Sequence, residues 1–503
     1  MAQVKDSANV SLEDALERTG FGKFNWILII LSGAVLSAVF LETVTTINFI
    51  LPVAQCDLQM TNQDKGLLSA IGFVGIIVSS HLWGFLADTR GRKKVIVTSL
   101  FIAFFTTIIS TFTQSYWLLV VLRFLNGFFI SGPSATTYAY LGEFHCLKDR
   151  SKVLLLGSFT YGLFCYYNPI AASFIINRDW TFYIETIDLV FKPWRLFMIV
   201  CGIPGLLSGC VMLCMPESPK FTFSQGKEQE TLNILQNIYT CNTGKPAESF
   251  DVTSLAKDEE FEDEKVKQKN LFHFMWTQTV PLFKHPHLKN TLTVCFIQFC
   301  VFNSGTGFWT FFPEIINRIA IWENDPSHVS STVCQILNDT KIIPNENAEL
   351  CVTKLENSAY RNIFILNSIY CFGWLFLSMI INRIGKLIII TTLLFTGGVS
   401  GFSLIFVDQP MVSNYLYIVL LSVGLSLTVL NASTVELFPT KLRAMALCLS
   451  LMFGRIGSVI GSNIIGTLLD NYCDYTFVMP TILLISSGCL AFTIPNISKR
   501  NVK

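Results

Sequence analysis

Runs of apolar residues dominate the chain and alternate with short polar intervals. Each run is long enough to cross a bilayer as a helix, which takes roughly 20 mostly apolar residues. The pattern predicts an all-α membrane protein that crosses the bilayer twelve times. We number the predicted spans 1 to 12 in chain order: 24–54, 66–87, 95–113, 116–142, 153–177, 193–215, 290–316, 361–381, 387–407, 415–437, 444–468 and 476–496.

One polar interval, 217–289, is much longer than the others and separates spans 6 and 7. It mixes acidic and basic residues closely, which is typical of a solvated linker or short surface helices. The chain therefore divides into six spans plus six. The predicted units are a cytoplasmic N-terminal segment 1–23, a first bundle 24–216, a cytoplasmic linker 217–289, a second bundle 290–496 with an outward loop 317–360, and a cytoplasmic tail 497–503.

Composition supports a membrane protein and excludes several classes. Hydrophobic residues make up 51% of the chain and charged residues only 14%, against about 25% charged in soluble proteins. The net charge of +1 gives no sign of nucleic-acid binding. The sequence contains no phosphate-binding G-x4-G-K-[ST] loop, no H-E-x-x-H pair and no dinucleotide fingerprint. We therefore expect no enzyme activity, no cofactor and no catalytic or metal site, and any pumping must use a gradient rather than ATP.

The distribution of basic residues predicts the orientation. The large majority of the 36 lysines and arginines lie in intervals on the same side as both termini. Because cytoplasmic loops carry an excess of these residues, both termini are predicted to be cytoplasmic.

Two motifs recur at nearly one offset. Glu143 to Arg150 and Glu436 to Arg443 both read E-x4-K-x-R, and they follow spans 4 and 10 at an offset of 293 residues. Asp88-Thr-Arg-Gly-Arg92 loosely matches Asn382-Arg-Ile-Gly-Lys386 after spans 2 and 8, at an offset of 294 residues. The two pairs together indicate a duplicated six-helix half. Two parallel halves of this kind are the plan of major facilitator transporters.

The motifs themselves resemble that superfamily. Gly84-Phe-Leu-Ala-Asp-Thr-Arg-Gly-Arg-Lys-Lys94 is similar to its loop signature, while Arg123 with Gly127 and Pro216-Glu-Ser-Pro-Lys-Phe221 resemble its sugar-porter branch. Within that branch, stretches such as Asp14-Ala-Leu-Glu17 and Thr434-Val-Glu-Leu-Phe-Pro439 resemble the synaptic vesicle glycoproteins. The resemblance implies two pseudo-symmetric six-helix bundles in a monomer. It also implies either the plasma membrane or a secretory or synaptic-type vesicle membrane.

The resemblance further implies an inner gate at the cytoplasmic helix ends, built from contacts that form in one state and break in another. The positive-inside rule is an alternative explanation for the basic residues there, but it does not explain the acidic ones. The gate and motif residues are Gly84, Asp88, Gly91, Arg92, Glu143, Arg150, Glu217, Gly385, Glu436 and Arg443.

Three charged residues inside spans, Glu42, Arg123 and Arg455, are candidates for a role in the central cavity or in coupling. Since spans 1 and 4 line the cavity in this superfamily, Glu42 and Arg123 form a possible facing pair. Glu42 then either binds a cationic solute or carries a coupling proton, or the pair is structural. Arg455 either pairs elsewhere or meets an anionic substrate.

The predicted outward loop 317–360 contains Cys334, Cys351 and the sequon at Asn338. Because that side is oxidising in a secretory-pathway protein, a disulfide between the two cysteines is expected. Of the four sequons, only Asn338 lies where a glycan can be attached.

Two functions follow from these observations. The first is a secondary transporter that moves a small organic solute, possibly an organic ion, across the bilayer by alternating access. The alternative is a transporter-like vesicle or membrane protein that acts as a binding or regulatory partner. This alternative is favoured by Asn382 and Asn496, which stand where the resemblance implies an acidic residue.

Overall fold

The computed structural model describes residues 10–256, 279–324, 331–340, 355–438, 440–469 and 472–494. Within these ranges, a helical segment occupies the place of each predicted span. Ten of the segments are long and apolar enough to cross a membrane, and the other two stand at predicted spans 5 and 8. The fold is therefore all-α apart from one short hairpin.

The first half contains spans 1 to 6, and two of these helices are interrupted. Span 1 contains a π-helical turn, Leu41–Thr45, and span 5 breaks between Phe164 and Tyr167. The bounds of the helices are Lys23–Phe40 and Thr46–Ala54 for span 1, Asn62–Arg90 for span 2, Arg92–Thr111 for span 3, Tyr116–Glu143 for span 4, Leu147–Phe164 and Tyr167–Ile175 for span 5, and Pro193–Cys214 for span 6.

The second half contains spans 7 to 12, and span 10 is divided by a 3-10 turn, Ser422–Leu425. The helices are Leu288–Asn324, Asn357–Ile384, Lys386–Ser403, Pro410–Leu421 with Ser426–Leu437, Thr440–Leu468 and Cys473–Ala491. The predicted outward loop 317–360 is thus too long at both ends. Span 7 continues as helix to Asn324, and span 8 already begins at Asn357.

Matching glycines support the internal repeat in three dimensions. Gly91 joins spans 2 and 3 with φ 107° and ψ 147°, and Gly385 joins spans 8 and 9 with φ 93° and ψ 142°. Residues that carry a Cβ atom rarely adopt a positive φ of this kind, so glycine is the residue that permits such a tight junction. The two halves therefore make the same turn at equivalent positions.

Short elements lie outside the spans. The helix Leu12–Arg18 packs with Glu228–Thr243 of the linker in a small apolar core, and Pro219–Ser224 follows span 6 directly. An antiparallel hairpin, Phe182–Ile184 with Leu189–Phe191, connects spans 5 and 6. We call the ends of the helices that meet Gly91, Glu143 and the linker the motif end, and the opposite ends the far end.

The two halves pack through spans 2 and 11, spans 1 and 7, and spans 5 and 8. Glycines allow the backbones to approach closely near the far end. A Cβ atom on Gly66 would lie 2.8 Å from the carbonyl oxygen of Ser462, and one on Gly466 would lie 2.6 Å from that of Asn62. Helices with small residues at the contact can pack this tightly.

The expected pairing of Cys334 with Cys351 is wrong. Cys334, in the helix Val333–Asp339, forms its disulfide with Cys473 at the start of span 12, with 5.5 Å between the Cα atoms. Cys351 lies outside the described residues. The bond joins two different far-end intervals because tertiary packing places this helix against the start of span 12. Asn338 is exposed on the same helix.

Candidate functional site: a cavity between the two halves

A cavity of about 400 Å³ lies between the two halves. Span 1 contributes five residues to its wall, and spans 2, 4, 5, 7, 8, 10 and 11 contribute the others. The five are Leu36, Val39, Phe40, Thr43 and Val44. They lie on one face of span 1 because they follow the i, i+3, i+4, i+7, i+8 spacing of a helix face. The size falls within the range that accommodates small organic ligands.

Aromatic rings from both halves form much of the cavity wall. Tyr161 of span 5 lies 5.5 Å from Trp374 of span 8 between ring centroids, and Tyr370 lies 5.5 Å from both Trp374 and Trp309. Phe40 of span 1 contacts Tyr161 edge to face at 5.8 Å. The clustering of aromatic residues in spans 5 and 7 is visible in the sequence, but the contributions of spans 1 and 8 are not.

Arg455 is the one charged residue among the described residues that line this cavity. It stands on span 11, in the second half, and its Nη2 donates to the hydroxyl oxygen of Ser134 on span 4 at 3.4 Å. This contact crosses from one half to the other. Of the three intramembrane candidates named from the sequence, Arg455 is the one that the structure places in the cavity wall.

Glu42 and Arg123 lie together, but away from the cavity. Arg123 Nη1 is 3.6 Å from Glu42 Oε2, and the two side chains are 2% and 3% exposed. Thr107 and Asn126 also donate to the same carboxylate oxygen, at 2.7 Å and 3.2 Å. Glu42 is about 200° around the helix from Phe40, so it points into the first half when Phe40 faces the cavity.

A buried ion cluster, missed by the sequence reasoning, joins the halves at the far end. Glu314 Oε1 on span 7 accepts from Lys65 Nζ on span 2 at 2.6 Å and from Arg318 Nη2 at 2.6 Å. The Lys65 side chain is fully buried and the other two are 5% exposed. We call these three residues the far-end triad. Nearby, Asn48 Nδ2 donates to the Trp309 carbonyl at 2.9 Å.

Charged residues also meet at the motif end, but within the first half. Arg92 lies 3.0 Å from Asp88 and 3.1 Å from Glu143, and Ser218 donates to Glu143. The guanidinium also stacks over the Phe221 ring at 5.3 Å. We call Asp88, Arg92 and Glu143 the motif-end cluster. It ties spans 2, 3 and 4 to the segment that follows span 6.

Glu217 caps the start of span 3. Its Oε1 accepts from the backbone N–H groups of Lys93 and Ser218, both at 3.0 Å. A carboxylate at a helix N-terminus stabilises the helix. A Cβ atom on Gly91 would collide with this carboxylate, while one on Gly84 would meet no atom within 4 Å.

The remaining gate candidates lie apart from this cluster. Arg150 Nη2 binds Glu13 of the helix Leu12–Arg18 at 3.0 Å, and its Nε donates to the Gly142 carbonyl. In the second half, Glu436 pairs with Lys386, which follows Gly385. The backbone of Arg443 lies in span 11, but its side chain is outside the described residues.

The bonds between the two halves are unevenly distributed. Among the described residues, the hydrogen bonds and ion pairs that cross between the halves lie at the far end or around the cavity. Tyr166 of span 5 donating to Ser368 of span 8, at 2.7 Å, is one of them. These bonds hold the two halves together at the far end, so the structure shows a state in which the far end is closed.

Two six-helix halves around a central cavity define the fold of membrane transporters of the facilitator type. The sequence of residues 26–333 matches the family model of the Major Facilitator Superfamily. The chain belongs to this superfamily.

Among solved structures, it is similar to the xylose transporter XylE from E. coli. The partially occluded inward-open form gives a TM-score of 0.64 at 14% identity, covering 93% of this chain and 98% of that one. The inward-open form gives a TM-score of 0.65, also at 14% identity, covering 93% and 95% of the two chains. These likenesses show the fold.

Curated proteins that the chain resembles include synaptic vesicle glycoproteins. The chain is 31% identical over 324 residues to synaptic vesicle glycoprotein 2B of Homo sapiens, covering 60% of this chain and 47% of that protein. It is 27% identical over 369 residues to synaptic vesicle glycoprotein 2A of Rattus norvegicus, covering 69% and 48%. The chain spans about half the length of the curated relatives that it matches.

Proposed function

We propose that this protein is a secondary transporter that carries a small organic solute across a membrane by alternating access. The observation that carries the proposal is the cavity, which both halves line and beyond which the far end is closed. A solute in this position contacts both halves, so a rocking motion of one half against the other would expose it to each side in turn.

We also propose that the motif end faces the cytoplasm, together with both termini. Two independent features support this orientation. The basic residues concentrate at the motif end and in the linker, as the positive-inside rule requires. The Cys334–Cys473 disulfide lies at the far end, where an oxidising lumen or exterior favours it. Asn338 is exposed there as a candidate glycosylation site.

The membrane is proposed to be the plasma membrane or a secretory or synaptic-type vesicle membrane, because the curated relatives are named as synaptic vesicle glycoproteins. The protein is proposed to act as a monomer that needs only the bilayer and its solute.

The proposal is tested by a binding screen followed by uptake. Purified protein is heated with a panel of sugars, nucleosides, organic cations and organic anions at two pH values, because a ligand of the folded state raises Tm. Compounds that raise Tm are then tested for uptake into proteoliposomes. Uptake of at least one of them is expected.

A cavity-filling variant shows whether uptake passes through this site. Gly305 lines the cavity, and a Cβ atom there meets nothing within 4 Å. Gly305→Trp is therefore expected to fold and to block uptake. Val399→Trp is the matched control, because Val399 lies on span 9 and is 60% exposed towards the outside of the bundle. Folded protein that binds ligands but transports none would favour the alternative role as a binding or regulatory partner.

A further inference from the structure

The cavity wall carries a cation that has no carboxylate partner among the described residues. The Arg455 guanidinium donates instead to the neutral Ser134 hydroxyl, at 3.4 Å. The buried arginines of other spans lie beside a carboxylate or donate to backbone carbonyls. Arg123 lies against Glu42 and Arg318 against Glu314, while Arg195 donates to two backbone carbonyls at 2.6 Å.

An uncompensated cation inside a membrane protein is unfavourable unless an anion or water meets it. Such residues are retained chiefly where they act on a solute. A guanidinium offers a planar fork of N–H donors, which matches the two oxygens of a carboxylate or of another oxyanion. The charge of the cavity therefore selects against cations and in favour of anions.

A second unmet donor belongs to a residue of the same cavity wall. The indole Nε1 of Trp374 is buried and has no hydrogen-bond acceptor among the described residues. Buried donors usually have a partner, and one that lacks it is unfavourable. A rotation of the indole would be needed to bring this donor to a ligand, so the proposed oxyanion contact rests on Arg455 and Ser134.

The remainder of the wall suits a flat apolar body. Trp309, Tyr370, Trp374 and Tyr161 form a continuous series of ring contacts, each 5.5 Å from the next between centroids. Flat rings pack against such walls through offset stacking or edge-to-face contacts.

We propose that the cavity binds an organic anion, with its oxyanion group on Arg455 and Ser134 and a flat apolar body among the aromatic rings. This inference rests on the proposed use of the cavity as the solute site. It differs from one alternative offered by the sequence, a cationic solute at Glu42, because that carboxylate faces Arg123 and not the cavity.

The test compares three ligands with one ring system: 2-naphthoate, 2-naphthamide and 2-naphthylmethylammonium. Binding is measured by thermal shift and calorimetry at pH 7.5. We expect the carboxylate to bind and the amide and the ammonium to bind at least about tenfold more weakly. Equal binding of the amide, or stronger binding of the ammonium, would overturn the proposal.

Two variants test whether Arg455 is the side chain that binds the carboxylate of the ligand. Arg455→Gln should weaken 2-naphthoate binding roughly 10- to 100-fold, the loss expected for a charge-assisted hydrogen bond. Arg455→Lys should retain part of it, because the charge remains while the fork is lost. Arg383→Gln is the matched control, since Arg383 is exposed at the end of span 8. Unchanged affinity in Arg455→Gln would contradict the assignment.

The Tm of the protein without ligand distinguishes a ligand-binding Arg455 from a structural one. If Arg455 serves the ligand, Arg455→Leu should leave the Tm of the empty protein unchanged or raise it, because an unfavourable buried charge is removed. A structural arginine would give a lower Tm, which would count against the proposal, as would a complete failure of the three ligands to bind.

The result is separable from the proposed function. Transport of a neutral solute that survives Arg455→Gln would retain the transporter and refute the anion site. Binding of 2-naphthoate that depends on Arg455, in a protein that takes up none of the compounds of the screen, would retain the anion site and count against transport.

Discussion

The far-end triad makes a sharp prediction about which state the protein prefers. Glu314 binds Lys65 across the two halves and Arg318 one turn further along its own helix. If the far end opens, the bond to Lys65 breaks while the bond to Arg318 persists. Glu314→Gln should therefore destabilise the closed far end selectively, because it leaves both cations without the carboxylate that they share.

The magnitude follows from the burial. Removing one partner of a buried ion pair typically destabilises by about 3–5 kcal/mol. We use about 3 kcal/mol, because the bond to Arg318 is present in both states and cancels. At about 1.4 kcal/mol per tenfold change, the population with an open far end should rise roughly 100-fold.

Labelling of an introduced cysteine measures that population. Ser462→Cys places a thiol on span 11, at a residue that is fully buried in the closed interface with span 2. Its reaction with a bulky maleimide in detergent should be slow in the parent protein and roughly 100-fold faster with Glu314→Gln. Thr181→Cys, exposed immediately before the hairpin between spans 5 and 6, is the control that should react equally in both.

A double variant distinguishes charge from general damage. Lys65→Met alone should change labelling only a few fold, because Glu314 keeps Arg318. Added to Glu314→Gln, it should reduce labelling again, since it removes one of the two cations. Labelling that is highest in the double variant, or unchanged by Glu314→Gln, would refute the reasoning.

Three further predictions concern stability. Gly91→Ala should lower Tm, because a residue other than glycine is strained by about 1–3 kcal/mol at φ 107° and ψ 147°. Its Cβ also meets a carboxylate oxygen; equal Tm would contradict this. Cys334→Ser should destabilise the folded protein by about 2–4 kcal/mol, because it removes the cross-link to Cys473. Cys210→Ser, which replaces an exposed free thiol, should leave the Tm unchanged. Burial lowers the pKa of the His145 imidazole below its usual 6.5. The unfolded chain therefore binds the proton more readily, and the stability of the folded protein should fall as pH drops below about 6.5. In thermal unfolding, His145→Gln should show a smaller fall in Tm between pH 7.5 and pH 5.5.

The hydrophobic pattern was sufficient to place a helix at every predicted span, because a bilayer crossing requires roughly 20 mostly apolar residues. Ten of these helices are long and apolar enough to span a membrane. The pattern was also sufficient to find the repeat, whose glycines adopt the same turn at Gly91 and Gly385. The boundaries were less accurate where charges continue a helix. The predicted outward loop includes Arg318, yet span 7 stays helical to Asn324, and Arg318 binds Glu314 one turn earlier on the same helix.

The partners of the charged residues could not be read from the sequence. Glu314 lies inside the predicted span 7, and the spacing Glu314-x-x-x-Arg318 is a signal for an intramembrane pair that was overlooked. Its partner Lys65 comes from another half, and no local pattern connects them. The same holds for Cys334 and Cys473, which tertiary packing brings together from separate intervals.

The charged clusters differ in which halves they join, and this decides what each can do during rocking. The motif-end cluster lies within the first half, so it braces spans 2, 3 and 4 and does not itself lock the halves together. The far-end triad and the contact between Arg455 and Ser134 cross between halves, so their distances change when the halves rock. A ligand shifts a conformational equilibrium only by the difference in its affinity for the two states. An anion held by Arg455 and Ser134 together has such a difference, because only one separation of the halves lets both side chains reach it. The proposed anion site would therefore couple solute binding to the movement that the far-end triad restrains.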